Sequence, residues 1–216
     1  ISVATTANYF ATGILAAFSR KFPGTTFSLD VTNRKSLLDQ LAANETDLVI
    51  MGRPPEELDL DATAFMENPL VVIGAPDHDL AKTKVQPGAR GSGPISLERI
   101  QQETFVVREM GSGTRIAMER HFDNQGVHLR TGMEMTSNEA IKQAVEAGLG
   151  LGIVSVHTLD LELETKRLVV LDVETFPILR HWYVVHCRGK RLPPVAQAFR
   201  DYLLSGEIRH LLPKTA

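Results

Sequence analysis

The sequence predicts an α/β protein of two lobes, because one order of elements occurs twice along the chain. The first copy runs from Ile1 to Met51 and the second from Thr104 to Ser155. Each copy shows an apolar strand, a polar loop, a helix, an alternating strand, a second polar loop, a second helix and a third strand. A strand, a helix and a strand in turn imply right-handed parallel βαβ units. We therefore predict two Rossmann-like lobes, each built around one copy.

The first copy changes from helical periodicity to strand alternation. A helix from about Asn8 to Phe22 carries an apolar residue at every fourth position, which places these residues on one face: Phe10, Ile14, Phe18 and Phe22. Pro23 and Gly24 are expected to end it. The next strand alternates apolar and polar residues, so one of its faces is predicted to be buried: Phe27, Leu29 and Val31 against Ser28 and Asp30.

The second copy repeats this pattern. Residues 127–135, VHLRTGMEM, alternate over nine positions and predict a strand. A helix from Asn138 to Ala147 follows, and Gly148 stands where a C-cap glycine is expected. Its apolar stripe predicts one buried face.

Strands also lie outside the two copies, and they suggest how the lobes are completed. The strand at 70–74 precedes the second copy, and strands at 168–173 and 181–187 follow it, before a final amphipathic helix. We predict one lobe from residues 1–74 plus 168–216 and a second from residues 75–167. Two crossover strands, near Gly74–Pro76 and near 157–168, would then join the lobes as a hinged clamshell.

Composition excludes several classes of function. The 216 residues carry a formal net charge of −3, which does not provide the basic field that nucleic acid requires. No apolar run approaches the roughly 20 residues that span a bilayer. The single cysteine, Cys187, excludes an internal disulfide and permits a reducing compartment, so we expect a cytoplasmic protein. The chain begins with Ile1 inside a strand, without an initiator methionine, and we expect that a preceding part is missing.

Polar residues stand wherever a strand is predicted to end and a helix to begin, which is where ligands collect in open α/β sheets. The candidate binding residues are hydroxyls and one amide: Thr5, Thr6, Asn33, Ser112, Thr136 and Ser137. Ser112 lies in the sequence MGSGT, whose two glycines would let a ligand approach the backbone. The alternative is helix capping, which is worth typically ~1 kcal/mol for each such residue.

Four arginines near these loops could neutralise an anion. Arg34, at a junction of loop and helix, and Arg108, at a strand end, are the preferred candidates, because guanidinium groups bind carboxylate and phosphate bidentately. Arg115 is interpreted as a solvated helix residue. Arg53 could face either the ligand or solvent. Together these loops predict capture of a small anionic molecule.

Signals for catalysis are weak, and we expect no enzyme. The patterns GxSxG, HExxH and CxxC are absent. The glycines of the sequence GLGLG at 148–152 lie at a helix end rather than a helix start, so they do not predict a dinucleotide loop. Asp77, His78 and Asp79 are interpreted as a surface turn rather than as metal ligands.

Over essentially its whole length, the chain resembles the effector-binding domain of LysR-type transcriptional regulators. The resemblance lies in the stretches ILAAFSRKFPG, TDLVIMGRP, NPLVVIGAPDHDLA, VVREMGSGTRIAMERHF and SNEAIKQAVEAGLGLGIVS. The combination of MGRPPE, NPLVVI, REMGSGTR, SNEAIKQAV and FPILRHWYVVH is most similar to the regulators of Calvin-cycle, or RuBisCO, operons.

The resemblance implies a fold like that of type 2 periplasmic binding proteins, with a small effector held in a cleft between the lobes. It implies effector contacts at Thr5, Thr6, Asn33, Arg34 and Thr136. No cofactor is expected; the effector would be a phosphorylated metabolite or NADPH. DNA would be bound only by an N-terminal winged helix-turn-helix domain outside this chain, and the full-length protein would be a tetramer.

A dimer is also predicted from the residues, since the first helix carries more apolar side chains than one stripe needs: Tyr9, Phe10, Ile14, Leu15 and Phe18. The main alternative function is a solute-binding protein of a transporter, which would share this fold. A lyase on the same fold is a weaker alternative, because it would need an acid–base pair facing the cleft.

Overall fold

In the computed structural model, residues 1–82 and 93–208 are described. The chain divides into two compact units. The first unit contains Ile1–Asn68 and the segment from Arg180 onward, and the second contains Pro69–Leu179. Each unit is built on one five-stranded sheet.

The helices and strands follow the predicted duplication. The first copy forms β1 (Ser2–Thr5), α1 (Asn8–Lys21), β2 (Ser28–Val31), α2 (Arg34–Ala42) and β3 (Leu48–Met51), and β4 (Leu60–Glu67) and β5 (Leu70–Gly74) follow it. Two short helices come next, α3 (Asp79–Lys82) and α4 (Leu97–Ile100). The second copy forms β6 (Thr104–Arg108), α5 (Gly113–Asn124), β7 (Arg130–Met135), α6 (Asn138–Glu146) and β8 (Leu151–Ser155). There follow a 3-10 turn (Val156–Thr158), α7 (Asp160–Glu164), β9 (Val169–Leu171), β10 (His181–Cys187) and α8 (Pro194–Leu204).

The two sheets have the same topology. The strand orders are β2-β1-β3-β10-β4 in the first unit and β7-β6-β8-β5-β9 in the second. In each, the first three strands are parallel and the fourth is antiparallel to its neighbours. The fourth strand of each sheet lies outside the two copies: β10, which follows the second copy, completes the first sheet, and β5, which precedes it, completes the second. The α/β fold with two similar lobes is therefore confirmed.

The pairing of β5 and β9 in the second sheet moves both unit boundaries away from the predicted ones. The strand β5 was expected in the lobe of residues 1–74, but it pairs with β8 and β9 and lies in the second unit. All five residues of β5 are buried, so it needs a central place with a neighbour on each side. The segment 168–179 also belongs to the second unit, where its strand β9 pairs with β5 at the edge of the sheet. The chain thus passes between the units at 68–69 and 179–180, not near Gly74–Pro76 or 157–168.

Each sheet is covered by helices on both faces. In the first unit, α1 and α8 bury Phe10, Ile14, Phe18 and Phe199 against one face, and α2 buries Leu37 and Leu41 against the other. In the second unit, α5 buries Met118 and Phe122, and α6 buries Ile141 and Val145 on the opposite face. The four central helices are thereby fixed, and their N-termini follow the ends of β1, β2, β6 and β7.

Local differences from the sequence reading have identifiable causes. The strand predicted over 127–135 forms only from Arg130, because the Val127 N–H donates to the Phe122 carbonyl at the end of α5.

Four of the five apolar residues taken as a surplus on α1 are buried in the core of their own unit; Tyr9 is only partly buried. The core alone accounts for Phe10, Ile14, Leu15 and Phe18, so these residues do not indicate an interface, and the dimer stays a prediction.

Candidate functional site

Each unit has two turns from strand to helix that carry the predicted binding residues. In the first unit β1 and β2 are parallel neighbours with Thr5 opposite Val31, and the Thr32 N–H donates to the Thr5 carbonyl over 2.9 Å. This pairing places the Thr5–Thr6 turn beside the Asn33–Arg34 turn. In the second unit Arg108 is opposite Met135, and the Glu109 N–H donates to the Met135 carbonyl over 2.9 Å.

Thr5 lies inside the first unit. Its side chain is fully buried, and its hydroxyl donates to the Ile50 carbonyl over 2.8 Å and accepts from the Ala7 N–H over 2.9 Å. The residue therefore joins β1 to β3 and positions the start of α1. Thr6 is partly exposed at the same turn. Within this turn, Thr6 is thus the more accessible of the two predicted contacts.

The positive ends of α1 and α2 lack the usual compensation. The N-cap of α1 is Ala7, which offers no capping side chain, and the first turns of both helices contain no acidic residue. Acidic side chains normally stabilise a helix N-terminus, because the first N–H groups carry partial positive charge. The partial positive charge of the first N–H groups of α1 and α2 is therefore not balanced by an acidic residue in either first turn.

Arg34 adds a full charge at the start of α2. Asn33 is the N-cap of α2, and its Oδ1 accepts from the Ser36 N–H over 3.0 Å, so the guanidinium is carried by the first residue of the helix. Burial lowers the pKa of Arg34 by desolvating the guanidinium, and no carboxylate of residues 1–82 or 93–208 forms an ion pair with it. A partly buried cation at a positive helix end is an unfavourable arrangement unless an anion is bound there.

Arg108 differs from Arg34 because its charge is already neutralised. Its Nε and Nη2 donate to the two carboxylate oxygens of Glu109 over 2.7 and 2.9 Å, and its Nη1 donates to Asn138 Oδ1 over 3.0 Å. In this structure Arg108 is therefore already paired with a carboxylate, and its contact with an effector stays a prediction. The guanidinium is held at the N-terminus of α6, beside the Thr136–Ser137 turn.

The two helix starts of the second unit are capped by their serines. Ser112 is buried and its Oγ accepts from the Thr114 N–H, while Ser137 is exposed and its Oγ accepts from the Ala140 N–H. Capping therefore explains both serines locally. Thr136 is exposed, and its hydroxyl forms no hydrogen bond within the described part of the chain. Of the three, Thr136 has the hydroxyl that is free to bind a ligand.

The other two arginines are structural or exposed. Arg115, expected to be solvated, has only 14% of its side chain exposed; it pairs with Glu119 and Glu134 and donates to the Arg108 carbonyl. The reading of Arg115 as solvated was therefore wrong, because its guanidinium joins β6, β7 and α5. Arg53 is mostly exposed and pairs with Glu56.

Sequence reasoning missed Glu109 and Asn138. Glu109 follows Arg108 directly, and successive side chains of a regular strand point to opposite faces, so no pairing was expected. Here β6 ends at Arg108, and the bend after it brings the two groups together. The sequence indicates Asn138 only as part of a helix start and does not predict its hydrogen bond with Arg108.

Nothing in the described ranges indicates a metal site. Residues 1–82 and 93–208 contain no group of three His, Cys, Asp or Glu side chains arranged to hold a metal ion. His78, in the DHD sequence, accepts from the Leu80 N–H through Nδ1 and so stabilises the turn before α3.

Among residues 1–82 and 93–208, no helix is both long and apolar enough to cross a membrane. The effector cleft between the lobes stays a prediction.

Comparisons with known proteins agree on one family. The LysR substrate binding domain family matches residues 1–207. A RuBisCO operon transcriptional regulator of Allochromatium vinosum is 56% identical over 209 residues, which cover 97% of this chain and 66% of that protein. The transcriptional activator CmpR of Synechocystis is 44% identical over 205 residues, 95% of this chain and 64% of CmpR. The chain thus spans about two thirds of these relatives.

Solved structures give the same result. The regulatory domain of Synechocystis CcmR in complex with 2-PG is 42% identical, with a TM-score of 0.86 and 95% of both chains covered. The effector-binding domain of QuiR in complex with shikimate is 20% identical, with a TM-score of 0.83 and 98% of both chains covered. The second likeness concerns the fold alone.

Proposed function

The chain belongs to the LysR substrate-binding domain family, and on that premise we propose that it senses an anionic metabolite for a regulator of carbon-fixation genes. The observation that carries the proposal is Arg34, a partly buried guanidinium without an ion-pair partner in the described residues, at the start of α2, whose first turn has no acidic residue. Such a position binds phosphate or carboxylate through both charge and helix N–H groups.

In the first unit, we propose that Arg34, Asn33 and Thr6 contact the anion and that Thr5 holds their turns in place. The hydroxyl of Thr5 is used internally by Ile50 and Ala7, so its contribution is to the position of the α1 N-terminus. An anion bound here would neutralise the partial positive charge at the N-termini of α1 and α2, because neither helix has an acidic residue in its first turn.

In the second unit, we propose that Thr136 donates its hydroxyl to the effector and that Arg108 adds charge. Both lie at the start of α6, where Arg108 is bound to Asn138. Ser112 and Ser137 cap their helices and so keep these N-termini in place. The charged parts of the effector would thus meet prepositioned donors, which reduces the cost of ordering on binding.

The relatives support the identity of the effector class and of the whole protein. CcmR, whose regulatory domain is 42% identical, binds 2-phosphoglycolate, and we propose that a small phosphorylated acid of this kind is the effector here. The matched relatives are transcriptional regulators, which favours a regulator over a transporter solute-binding protein. We further propose that DNA is bound by a part of the protein outside this chain, and that the effector is bound without being converted.

Self-association is part of the same proposal. Within residues 1–82 and 93–208, the edge strands β2 and β7 each pair with one neighbouring strand, and Val31 and Met133 on them are exposed. Unpaired edges with exposed apolar side chains favour contact with a second copy. Sedimentation of the chain at tens of micromolar should show a dimer, and a monomer alone at that concentration would contradict this part.

A thermal-shift screen tests the proposal. Melting temperature is followed with 2-phosphoglycolate, with glycolate as the matched acid without the phosphate, and with NADPH. A ligand that binds only the folded chain at 100 times its Kd adds about 2.7 kcal/mol of stability. We expect a rise with 2-phosphoglycolate and none with glycolate. No shift with any phosphorylated compound would contradict an anion-sensing function.

A further inference from the structure

Arg108 and Glu109 form a bidentate ion pair between neighbouring residues. Nε and Nη2 of Arg108 face the two oxygens of Glu109 at 2.7 and 2.9 Å, and the side chains are 16% and 22% exposed. The parallel arrangement of two N–H donors and two oxygens is the one in which a guanidinium binds a ligand carboxylate or phosphate. Glu109 therefore occupies the binding face of Arg108.

The pair contributes little to joining parts of the fold. Glu109 is already adjacent to Arg108 along the chain, so their ion pair brings no distant elements together. The contact from Arg108 that does so is Nη1 to Asn138, which connects the end of β6 to the start of α6 without using Glu109. The ion pair of Arg115 differs in this respect. Arg115 lies on α5, pairs with Glu134 on β7 and donates to the Arg108 carbonyl on β6, so it joins three elements.

The surroundings of Glu109 allow its carboxylate to leave. Its own N–H is fixed to the Met135 carbonyl, but the side chain is partly exposed, and the next residue, Met110, has 70% of its surface exposed. The side chain can thus turn into water while the backbone stays paired with β7. After that change, Nε and Nη2 of Arg108 would be open beside Thr136.

We propose that Glu109 is an internal competitor of the effector and sets its affinity by occupying Arg108 until an anion displaces it. This inference rests on the proposed function, because it requires that the effector reaches Arg108. An internal carboxylate that must be displaced reduces the apparent affinity by the fraction of molecules in which Arg108 is free. It also repels an approaching anion, so weak anions do not occupy the site.

The test compares 2-phosphoglycolate binding to the wild type, Glu109→Gln and Glu109→Ala by calorimetry at low and at moderate salt. Both variants remove the competing charge, and we expect them to bind at least about five-fold more tightly, which corresponds to about 1 kcal/mol. Their affinity should also fall more steeply with salt. In the variants, binding forms a new ion pair, whereas in the wild type it replaces an existing one.

Glu119→Gln is the matched control. Glu119 also pairs with an arginine of the same unit, Arg115, which is bound to the Arg108 carbonyl and to Glu134 and to which we assign no contact with the effector. Its affinity should stay within about two-fold of the wild type, since ordinary surface substitutions have small effects. Melting temperatures identify any variant that is not folded. If one of the two Glu109 variants does not fold, the comparison with the wild type is made with the other.

The outcomes separate this inference from the proposed function. Tighter binding by Glu109→Gln or Glu109→Ala, with Glu119→Gln unchanged, supports the competition, even if the wild type binds too weakly to measure. Binding by the wild type with equal or lower affinity in both Glu109 variants overturns the competition and leaves the proposed function standing. No binding by any of these proteins overturns both.

Discussion

Nη1 of Arg108 donates to Oδ1 of Asn138 over 3.0 Å and joins the end of β6 to the first residue of α6. The turn that carries Thr136 and Ser137 is therefore held on both sides, by its strand pairing and by this side-chain contact. The backbone at Thr136 therefore has a defined position before any ligand arrives. A defined position of its donors is what a binding site for a small anion requires.

Replacing Thr136 with valine should weaken effector binding and leave the fold unchanged. Valine keeps the shape of threonine but removes the hydroxyl, which forms no hydrogen bond within the described residues. Loss of a hydrogen bond to a charged group costs about 1.5–3 kcal/mol, or roughly ten- to a hundred-fold in affinity. Calorimetry with 2-phosphoglycolate measures this loss. Unchanged affinity, with an unchanged melting temperature, would remove Thr136 from the site.

Lys142 should be the main electrostatic determinant of stability in the second unit. It is 6% exposed, and its Nζ bonds Glu139 over 2.9 Å, Glu162 over 2.8 Å and the Thr158 carbonyl over 2.9 Å. Removing one partner of a buried ion pair costs about 3–5 kcal/mol, so Lys142→Met should lower the free energy of unfolding by this amount. Lys82→Met, at an exposed ion pair of α3, is the control and should change it by less than about 1 kcal/mol.

The same lysine predicts a loss of stability at alkaline pH. Desolvation by burial lowers the pKa of Lys142, but hydrogen bonds and charge interactions with Glu162 and Glu139 outweigh it, and the net direction is upward. A group whose pKa is raised on folding stabilises fully below its unfolded value, and this stabilisation is lost as pH rises through the folded value. Denaturant unfolding should therefore show stability falling above about pH 10.4. A wild type and a Lys142→Met variant that lose stability equally there would contradict the assignment.

His121 should make the second unit sensitive to acid. Burial lowers the pKa of its imidazole, which lies against Phe122 and Phe176 and bonds the Thr175 hydroxyl over 2.9 Å. A pKa lowered on folding means that the stabilisation is present above the unfolded value of 6.5 and is lost as pH falls through the folded value. His121→Gln should therefore lose less stability between pH 7 and 5 than the wild type. The exposed His128→Gln should retain the wild-type profile; if both variants match it, His121 is not the cause.

The sequence predicted those parts of the fold and site that depend on neighbouring residues. Helix periodicity gave α1, and Asn33, Ser112 and Ser137 read correctly as possible caps because capping needs only residues two or three positions away. The place of β10 in the first unit was predicted, but the pairing of β5 with β8 and β9 was not, since a run of buried apolar residues does not indicate which strand lies beside it. The interactions of Arg115 with Glu134 and of Arg108 with Asn138 span different elements, so local patterns could not reveal them.

Arg34→Gln provides the most direct test of anion sensing. The variant removes the charge at the start of α2 while keeping a polar side chain of similar length, and Lys35→Gln removes the charge of the next, exposed residue as a control. The stability of Arg34→Gln should be equal to or higher than that of the wild type, because a cation at a helix N-terminus is unfavourable. Its melting temperature therefore separates loss of binding from loss of fold.

The decisive measurement is the Kd of 2-phosphoglycolate for the wild type, Arg34→Gln and Lys35→Gln by calorimetry under one set of conditions. Loss of a charge-assisted bond of about 1.5–3 kcal/mol predicts an affinity at least about ten-fold lower for Arg34→Gln, with Lys35→Gln within about two-fold of the wild type. Equal affinities in all three proteins would show that Arg34 does not hold the anion and would contradict the central claim.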